Sequence, residues 1–423
     1  MAAGPAADRD ATRWGIIASG QGGCRIASQL FTRTDNPGID DRIVLINTND
    51  TDIKESLDRV DSQLAVDREE INRNNVGLFV PADGTGNDFF DGERFAEEGF
   101  DEIYQPINNT ARSDALMYTV ALGGGTGNGS APYIIDQFRQ APEGGAIAGS
   151  SSEAAWLSDI PQFVLAAWPF RGELDQRYFN AVCGLSRLLM REDGSPNADM
   201  ALLASNARLK QLAEENDDAE EVAGAEAVRE EDLVNRRIIS ALDLFISAGR
   251  TASDTLDVKD YARQPQQSRG AYHGTFGTAL NKPLGLGLEV AIEKAIENTF
   301  VPMDPSTAEA AYVVVRAPQR KVNAGKITGG DVRGAFADWR EKQDLRGVVG
   351  MHTLSKEPGG GNTFDVLVFL AGFDLTPLME ESRSWERYES ERDRRERNSA
   401  GDRGKRIRQL EENLRQYRNN LEG

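Results

Sequence analysis

Cysteine and histidine are almost missing from this chain, with two of each in 423 residues. Cys24 and Cys183 cannot make a disulfide framework and show no zinc spacing, so a reducing, cytoplasmic setting is expected. His273 and His352 have no partner at metal-ligand spacing, which sets aside histidine-based triads and zinc chemistry. Long apolar runs are also missing. The longest, FDVLVFLAGF (364–373), falls far short of the roughly 20 residues that span a bilayer, and no membrane insertion is expected. The opening MAAGPAADRDATR holds acids and no apolar core, so residues 1–12 predict a short disordered leader rather than a signal peptide. Basic charge is scarce and lysine scarcer: ten lysines and thirty-eight arginines stand beneath 68 Asp and Glu, for a formal net charge of −20. That balance argues against a general nucleic-acid binder. An acidic, lysine-poor surface is what a high-salt cytoplasm favours, because salt screens its self-repulsion. A merely acidic soluble protein is the plainer reading of the same numbers.

Glycine is present in quantity and unevenly placed. Five of the seven residues Gly123–Gly129 are glycine, within ALGGGTGNGSAPYIIDQF (121–138). Glycine is the costliest residue to order, so its concentration here implies backbone that something must approach closely. The flanking segments read as strand, then helix. The continuous apolar runs RIVLINTN (42–49), DALMYTVAL (114–122), QFVLAAWPF (162–170) and ADMALLAS (198–205) have the character of strands buried on both faces. Helical patterns such as GCRIASQLF and PYIIDQFRQ fall between them. This alternation predicts an α/β, Rossmann-like N-terminal domain with a parallel sheet and ligand loops at the strand C-termini. APEGGAIAGSSSEAAW (141–156) reads as a surface loop and AEENDDAEEVAGAEAVREED (213–232) as a strongly acidic stretch, either a solvated helix or partly disordered. In LVNRRIISALDLFISAG (233–249), Ile238, Ile239, Leu242, Phe245, Ile246 and Gly249 share a broad face, predicting a long central helix packed by two domains. A smaller α/β set follows, to about residue 377.

A glycine-rich loop ahead of a helix N-terminus offers unhindered N–H groups and a positive dipole end, an anion site suited to phosphates. The Walker pattern is absent, and GxGxxG fails, which nearly excludes a nicotinamide-dependent enzyme. GGGTGNG instead resembles the signature of the tubulin/FtsZ superfamily of filament-forming GTPases. Other loops match the family in order. SGQGGCRIA (19–27) resembles its first phosphate loop, which implies nucleotide contacts from Gly20, Gln21, Gly22, Gly23 and Cys24, with Gln21 at Mg²⁺; Cys24 stands where the family commonly has Asn. INTND (46–50) resembles the loop after strand two and implies Asn47. DGTGNDFFDGE (83–93) resembles the γ-phosphate loop, implying Gly84, Thr85, Gly86 and Asn87. The signature itself implies Gly123, Gly124, Gly125, Thr126, Gly127, Asn128 and Gly129. PFRGELDQR (169–177) resembles the ribose loop, with Glu173 and Arg177. ASNARL (204–209) places Asn206, and Asn235 on the central helix falls where the family reads the guanine edge. AGFD (371–374) is similar to the FtsZ TGFD, so the likeness runs from about Trp14 to Leu375.

TASDTLDVKDYAR (251–263) follows the central helix. By itself it reads as acids in the first turn of a helix. The resemblance implies more: Asp257 and Asp260 match the two acids of the FtsZ NxDxxD loop, and Thr255 replaces its Asn. These acids would complete the γ-phosphate site of the next subunit in a head-to-tail filament and orient a water for attack. The implied organisation is a leader (1–12), a GTP-binding domain (13–232), a central helix (233–250), a catalytic loop (251–262), a C-terminal domain (263–377) and a charged helical tail (378–423). GTP/GDP and Mg²⁺ are the implied cofactors, and further copies of the chain the implied partner. In the tail, Ile407, Leu410, Leu414, Tyr417 and Leu421 form a heptad seam. It reads equally as a short coiled coil, with itself or a protein partner, or as a solvated helix. The apolar peptide by which FtsZ docks to membrane anchors is not seen. The mixed motifs resemble a divergent archaeal member of the FtsZ-like or CetZ-like kind. A hydrolysing filament and a GTP-binding scaffold with little turnover both remain open.

Overall fold

The computed structural model describes residues 12–32, 42–58, 76–79, 84–109, 113–140, 155–215, 229–248, 258–343, 345, 349–357, 361–398 and 401–422. In chain order the N-terminal part runs β1 (Trp14–Ser19), α1 (Gly20–Ser28), β2 (Ile43–Asn47), α2 (Asp50–Asp58), β3 (Val76–Leu78), α3 (Phe89–Glu98) and α4 (Phe100–Asn109). It continues through β4 (Ala115–Ala121), α5 (Thr126–Gln140), α6 (Ala155–Asp159), β5 (Gln162–Trp168), α7 (Asp175–Leu189), β6 (Met200–Ser205) and α8 (Asn206–Glu215). The central helix is α9 (Glu230–Ala248), beginning three residues before the sequence pattern placed it, because the acids Glu230, Glu231 and Asp232 suit a helix's first turn. Beyond it lie α10 (Val258–Arg269), β7 (His273–Pro283), α11 (Leu288–Glu297), β8 (Ala310–Pro318), α12 (Gln319–Asn323), α13 (Gly329–Lys342), β9 (Val349–Glu357) and β10 (Thr363–Ala371). The chain closes with α14 (Thr376–Glu380), α15 (Ser384–Asn398) and α16 (Asp402–Glu422).

All ten described strands join one sheet, in the order β3-β2-β1-β4-β5-β6-β7-β10-β8-β9. From β3 to β7 every pairing is parallel. β10 then pairs antiparallel with both β7 and β8. The two α/β sets expected from the sequence therefore join edge to edge through β6 and β7. Strand order reverses between β1 and β4, and in such sheets a crevice opens outside the strands' carboxyl ends at that reversal. The two loops meeting there are Gly20–Gly23 after β1 and Gly123–Gly125 after β4.

Alternate residues of β1 and β2 feed opposite faces: Ile17, Val44 and Ile46 one core, Ile16, Ile43 and Leu45 the other. The central helix lies on the second face, its predicted stripe of Ile238, Ile239, Leu242, Phe245 and Ile246 buried. The Phe245 ring lies 5.4 Å from Trp14 of β1 and 5.2 Å from Phe276 of β7, so both parts of the sheet grip α9. On the other face the charged tail folds back. Ile407, Leu410, Leu414 and Tyr417 are buried in the core shared with α7, and the Ser186 hydroxyl donates to the Leu410 carbonyl at 2.6 Å. The heptad seam is real, but an internal surface covers it, which neither sequence reading foresaw. Among the described residues no helix is long and apolar enough to cross a membrane.

Candidate nucleotide site

A cavity of about 440 Å³ opens at the β1/β4 switch point. Loops from widely separated parts of the sequence line it. Gly20, Gln21 and Gly22 come from the start of α1, and Gly84, Thr85, Gly86 and Asn87 from the segment before α3. Gly123, Gly124, Gly125, Thr126 and Gly127 come from the turn into α5, Glu173 and Arg177 from the start of α7, Asn206 from α8 and Asn235 from α9. The first turns of α1 and α5 both face this space, so N–H groups without intrahelical partners converge on it.

Glycine in the signature turns out to serve two purposes. A Cβ on Gly124 would meet nothing nearer than the Ala121 carbonyl oxygen at 3.5 Å, so this position keeps the cavity wall low. At Gly129 a Cβ would stand 2.4 Å from both the Glu93 nitrogen and the Phe89 oxygen, which have no room to retreat. Glycine there lets α5 touch α3, whatever the cavity holds. The expectation that ligand approach explains most of these glycines is thus corrected: helix-to-helix packing accounts for some.

Five predicted site residues lie behind the cavity wall. Asn128 is buried, and its amide donates to the Leu122 carbonyl at 2.9 Å and the Asn180 carbonyl at 2.7 Å, tying α5 to β4 and α7. Gly23 and Gly129 sit at interelement contacts. Asn47 is buried, with its side-chain oxygen accepting the Thr48 N–H at 2.8 Å. Cys24 points into the core under α1, its thiol near the Ala18 and Ile46 carbonyls, and burial pushes its pKa up to about 12. A neutral thiol so enclosed cannot meet a base. Asp260 stands in the first turn of α10, where the Tyr312 hydroxyl donates to its carbonyl at 3.0 Å, and it is not part of the cavity. Thr255 and Asp257 lie outside the described residues.

The structure also adds residues to the site. Asp52 lines the cavity beside Gln21, whose amide donates to its carboxylate at 3.1 Å, and burial raises the Asp52 pKa. One turn along α1 from Gln21, Arg25 also faces the cavity, bridging Glu55 at 3.0 Å and Glu231 at 2.6 Å. Phe170 offers an apolar wall beside Glu173, whose carboxylate accepts the Phe170 N–H at 3.2 Å. Burial raises the Glu173 pKa, against the pull of Arg177. A faint signal existed for Asp52, an acid in a helix's first turn; none existed for Arg25 or Glu231, which meet only in three dimensions. Asn180 is the stitch sequence could not show. Its amide donates to the carbonyls of Asn87, Gly123 and Gly124 at 2.7, 3.1 and 3.3 Å, fixing the two phosphate-type loops to each other.

A doubly wound sheet with glycine loops meeting at its switch point is an arrangement that suits a nucleotide ligand. The comparisons sharpen this. Residues 14–214 match the model of the Tubulin/FtsZ family, GTPase domain. A curated relative, the cell division protein FtsZ of Haloferax mediterranei, is 28% identical over 232 residues, covering 53% of this chain. The match spans about half, 49%, of that relative's length. Among solved structures, a GTPγS-bound protofilament of CetZ2 from Haloferax volcanii superposes with a TM-score of 0.65 at 21% identity, covering 89% of this chain and 99% of its own. CetZ from Methanosaeta thermophila gives 0.65 at 18% identity, covering 92% and 94%. These likenesses establish the fold over most of the chain. Residues 14–214 thus resemble a GTPase domain of the tubulin/FtsZ family, and the similar proteins include an FtsZ and CetZ proteins of archaea. The matched model is that of a GTPase domain, a likeness that points to GTP and GDP as ligands.

Proposed function

We propose that this chain is a GTP-binding cytoskeletal protein that stacks head to tail into filaments and hydrolyses GTP where subunits meet, in cell division, shape or segregation. The observation that carries this reading is the convergence of Gly20–Gly22, Gly84–Asn87 and Gly123–Gly127 on one cavity. Phosphates would lie against these loops, the ribose by Glu173 and Arg177, and the base between Phe170, Asn206 and Asn235.

Gln21 and Asp52 are hard oxygen donors at the phosphate end, a set that suits Mg²⁺, which takes one or two protein oxygens and completes its shell with phosphates and water. Among the described residues no cluster of three or more His, Cys, Asp or Glu could hold a metal alone, in keeping with an ion that arrives with its nucleotide. Mg²⁺ there would neutralise charge on the transferred phosphate.

Hydrolysis needs a water placed in line with the γ-phosphate. Asp260 is not at its own chain's cavity. Asn235, which is there, lies near the start of a 19-residue helix that α10 follows, and such a helix is about 28 Å long. A second subunit stacked on the first would bring Asp257 and Asp260 to the γ-phosphate, with Thr255 beside them. CetZ2, to which this fold is similar, forms a protofilament.

The test is GTP turnover per subunit against protein concentration in Mg²⁺ and high KCl, with sedimentation alongside. Turnover that rises cooperatively and tracks the pellet is expected, with Asp257→Ala abolishing turnover while sparing binding. Turnover independent of concentration would overturn the shared site. Pelleting with binding but no turnover would instead establish the scaffold reading, for which Thr255 in place of Asn is the motivating feature.

A further inference from the structure

The tail does more than cover apolar surface. Its arginines reach α3, which begins beside the cavity, and through Arg187 of α7 they connect to α5 as well. Arg403 pairs with Asp88 and Asp91 of the α3 start, each at 3.4 Å, and Arg395 approaches Asp88 at 3.8 Å. Asp88 is the residue after Asn87, the last cavity residue of its loop, and it caps α3 by accepting the Phe90 N–H at 2.9 Å. Arg406 grips Glu93 with two bonds of 2.7 Å. Glu93 in turn pairs at 2.9 Å with Arg187, which is buried. Arg187 donates to the Asn128 and Gly129 carbonyls in the first turn of α5, at 3.1 and 3.3 Å. A continuous set of ion pairs and hydrogen bonds therefore runs from the tail to the residue after the Gly84–Asn87 loop and to the first turn of α5. A third contact reaches the ribose end, where Arg387 donates to the Glu173 carbonyl at 2.5 Å.

Two physical consequences follow. Without Arg395 and Arg403, the Asp88 carboxylate would stand uncompensated beside a loop that faces the terminal phosphate, and would repel it. Without Arg406, Glu93 and Arg187 would keep each other, but α3 would lose the bidentate tie that holds it to α16. We propose that the α15–α16 hairpin is a built-in strap for the phosphate loops, so that tail docking and binding of a nucleoside triphosphate strengthen each other. Linkage makes the effect reciprocal: whatever docking adds to triphosphate affinity, the triphosphate adds to docking. Arg395, Arg403 and Arg406 are positioning residues, since they act through Asp88 and Glu93. The inference rests on the GTP-binding reading above and extends it to selectivity between tri- and diphosphate.

The experiment uses the full chain with a slowly hydrolysed GTP analogue and with GDP. Calorimetry gives both affinities, and hydrogen exchange follows residues 384–422. In the unaltered protein the triphosphate should slow exchange in both tail helices more than GDP does. Arg395→Ala with Arg403→Ala should weaken triphosphate binding roughly tenfold and GDP binding distinctly less. Arg395→Lys with Arg403→Lys should restore most of the loss, which a role confined to stacking the planar guanidinium groups on Phe179 and Phe90 would not. If GTP binds but tail exchange ignores the nucleotide and the alanine pair binds both nucleotides as before, the strap is wrong and the GTP-binding reading stands. If the unaltered chain binds neither nucleotide, both fall together.

Discussion

The phosphate crevice and the tail hairpin lie on adjoining elements, yet they are built by opposite means. Behind the crevice wall, backbone meets backbone, and one added carbon decides whether elements fit; the space beside Gly129 is narrower than any side chain. In the hairpin, long side chains do the joining. Tyr388 stacks on Phe179 with rings 5.7 Å apart, Arg392 pairs with Glu411 at 2.7 Å, and four apolar residues of α16 fill the space over α7. Sites of the first kind fail abruptly on a single substitution. Those of the second spread their stability over many contacts and yield by degrees.

The sharpest way to break this contrast is Gly129→Ala against Gly124→Ala. With backbone on two sides, the first should cost roughly 3 kcal/mol or more, or leave no folded protein in denaturant titrations. The second should change stability by less than about 0.5 kcal/mol and show its effect in nucleotide binding instead. Equal stability losses at the two positions would erase the distinction between packing and cavity glycines. In the hairpin, Leu414→Ala removes a fully buried side chain and should cost about 2–5 kcal/mol, with the tail becoming protease-sensitive before the rest of the chain unfolds.

Acid should also loosen the hairpin's anchor. His273 is buried between β7 and the tail. The Phe373 carbonyl can only accept, so Nε2 carries the proton at 2.8 Å, and Nδ1 accepts from the Tyr417 hydroxyl at 2.7 Å. Burial lowers its pKa from the ordinary 6.5 to about 4. The unfolded chain therefore takes up this proton first as pH falls. The stability from neutral His273 is fully present above pH 6.5 and lost on descending toward 4, by about 3 kcal/mol in all. His273→Gln should flatten that part of the stability profile. The smallest effect is expected at Leu174, which is 73% exposed beside the ribose loop. Leu174→Ser should leave folding within about 0.5 kcal/mol, while lowering polymer yield in sedimentation if the next subunit covers that face.

Much of the crevice was legible because close backbone approach leaves glycine in the chain at fixed spacing. Gly20–Gly22, Gly84–Asn87 and Gly123–Gly127 could be found without a fold. Cys24, Asn47 and Asn128 were misplaced for the converse reason: a short motif shows which residues stand near a site, but not which way each side chain points on a helix or strand. In Asn128 the amide turned inward to satisfy two buried carbonyls. Glu231, Arg25 and Asn180 carried no local sign, since their roles depend on partners up to 206 residues away.

The sequence by itself determined the alternation of strands and helices, the glycine loops that match the family, and the spacing of the tail's apolar seam. Each is written in local order: a period of two or of 3.6, or a glycine where a Cβ cannot go. Only the tertiary structure decided what covers that seam and which glycines face the cavity. It also decided that the arginines of an apparently solvated tail bind the acids beside the phosphate loops. Burial and pairing are properties of surfaces brought together from distant parts of the chain, and hydrophobic spacing specifies a face without naming its partner.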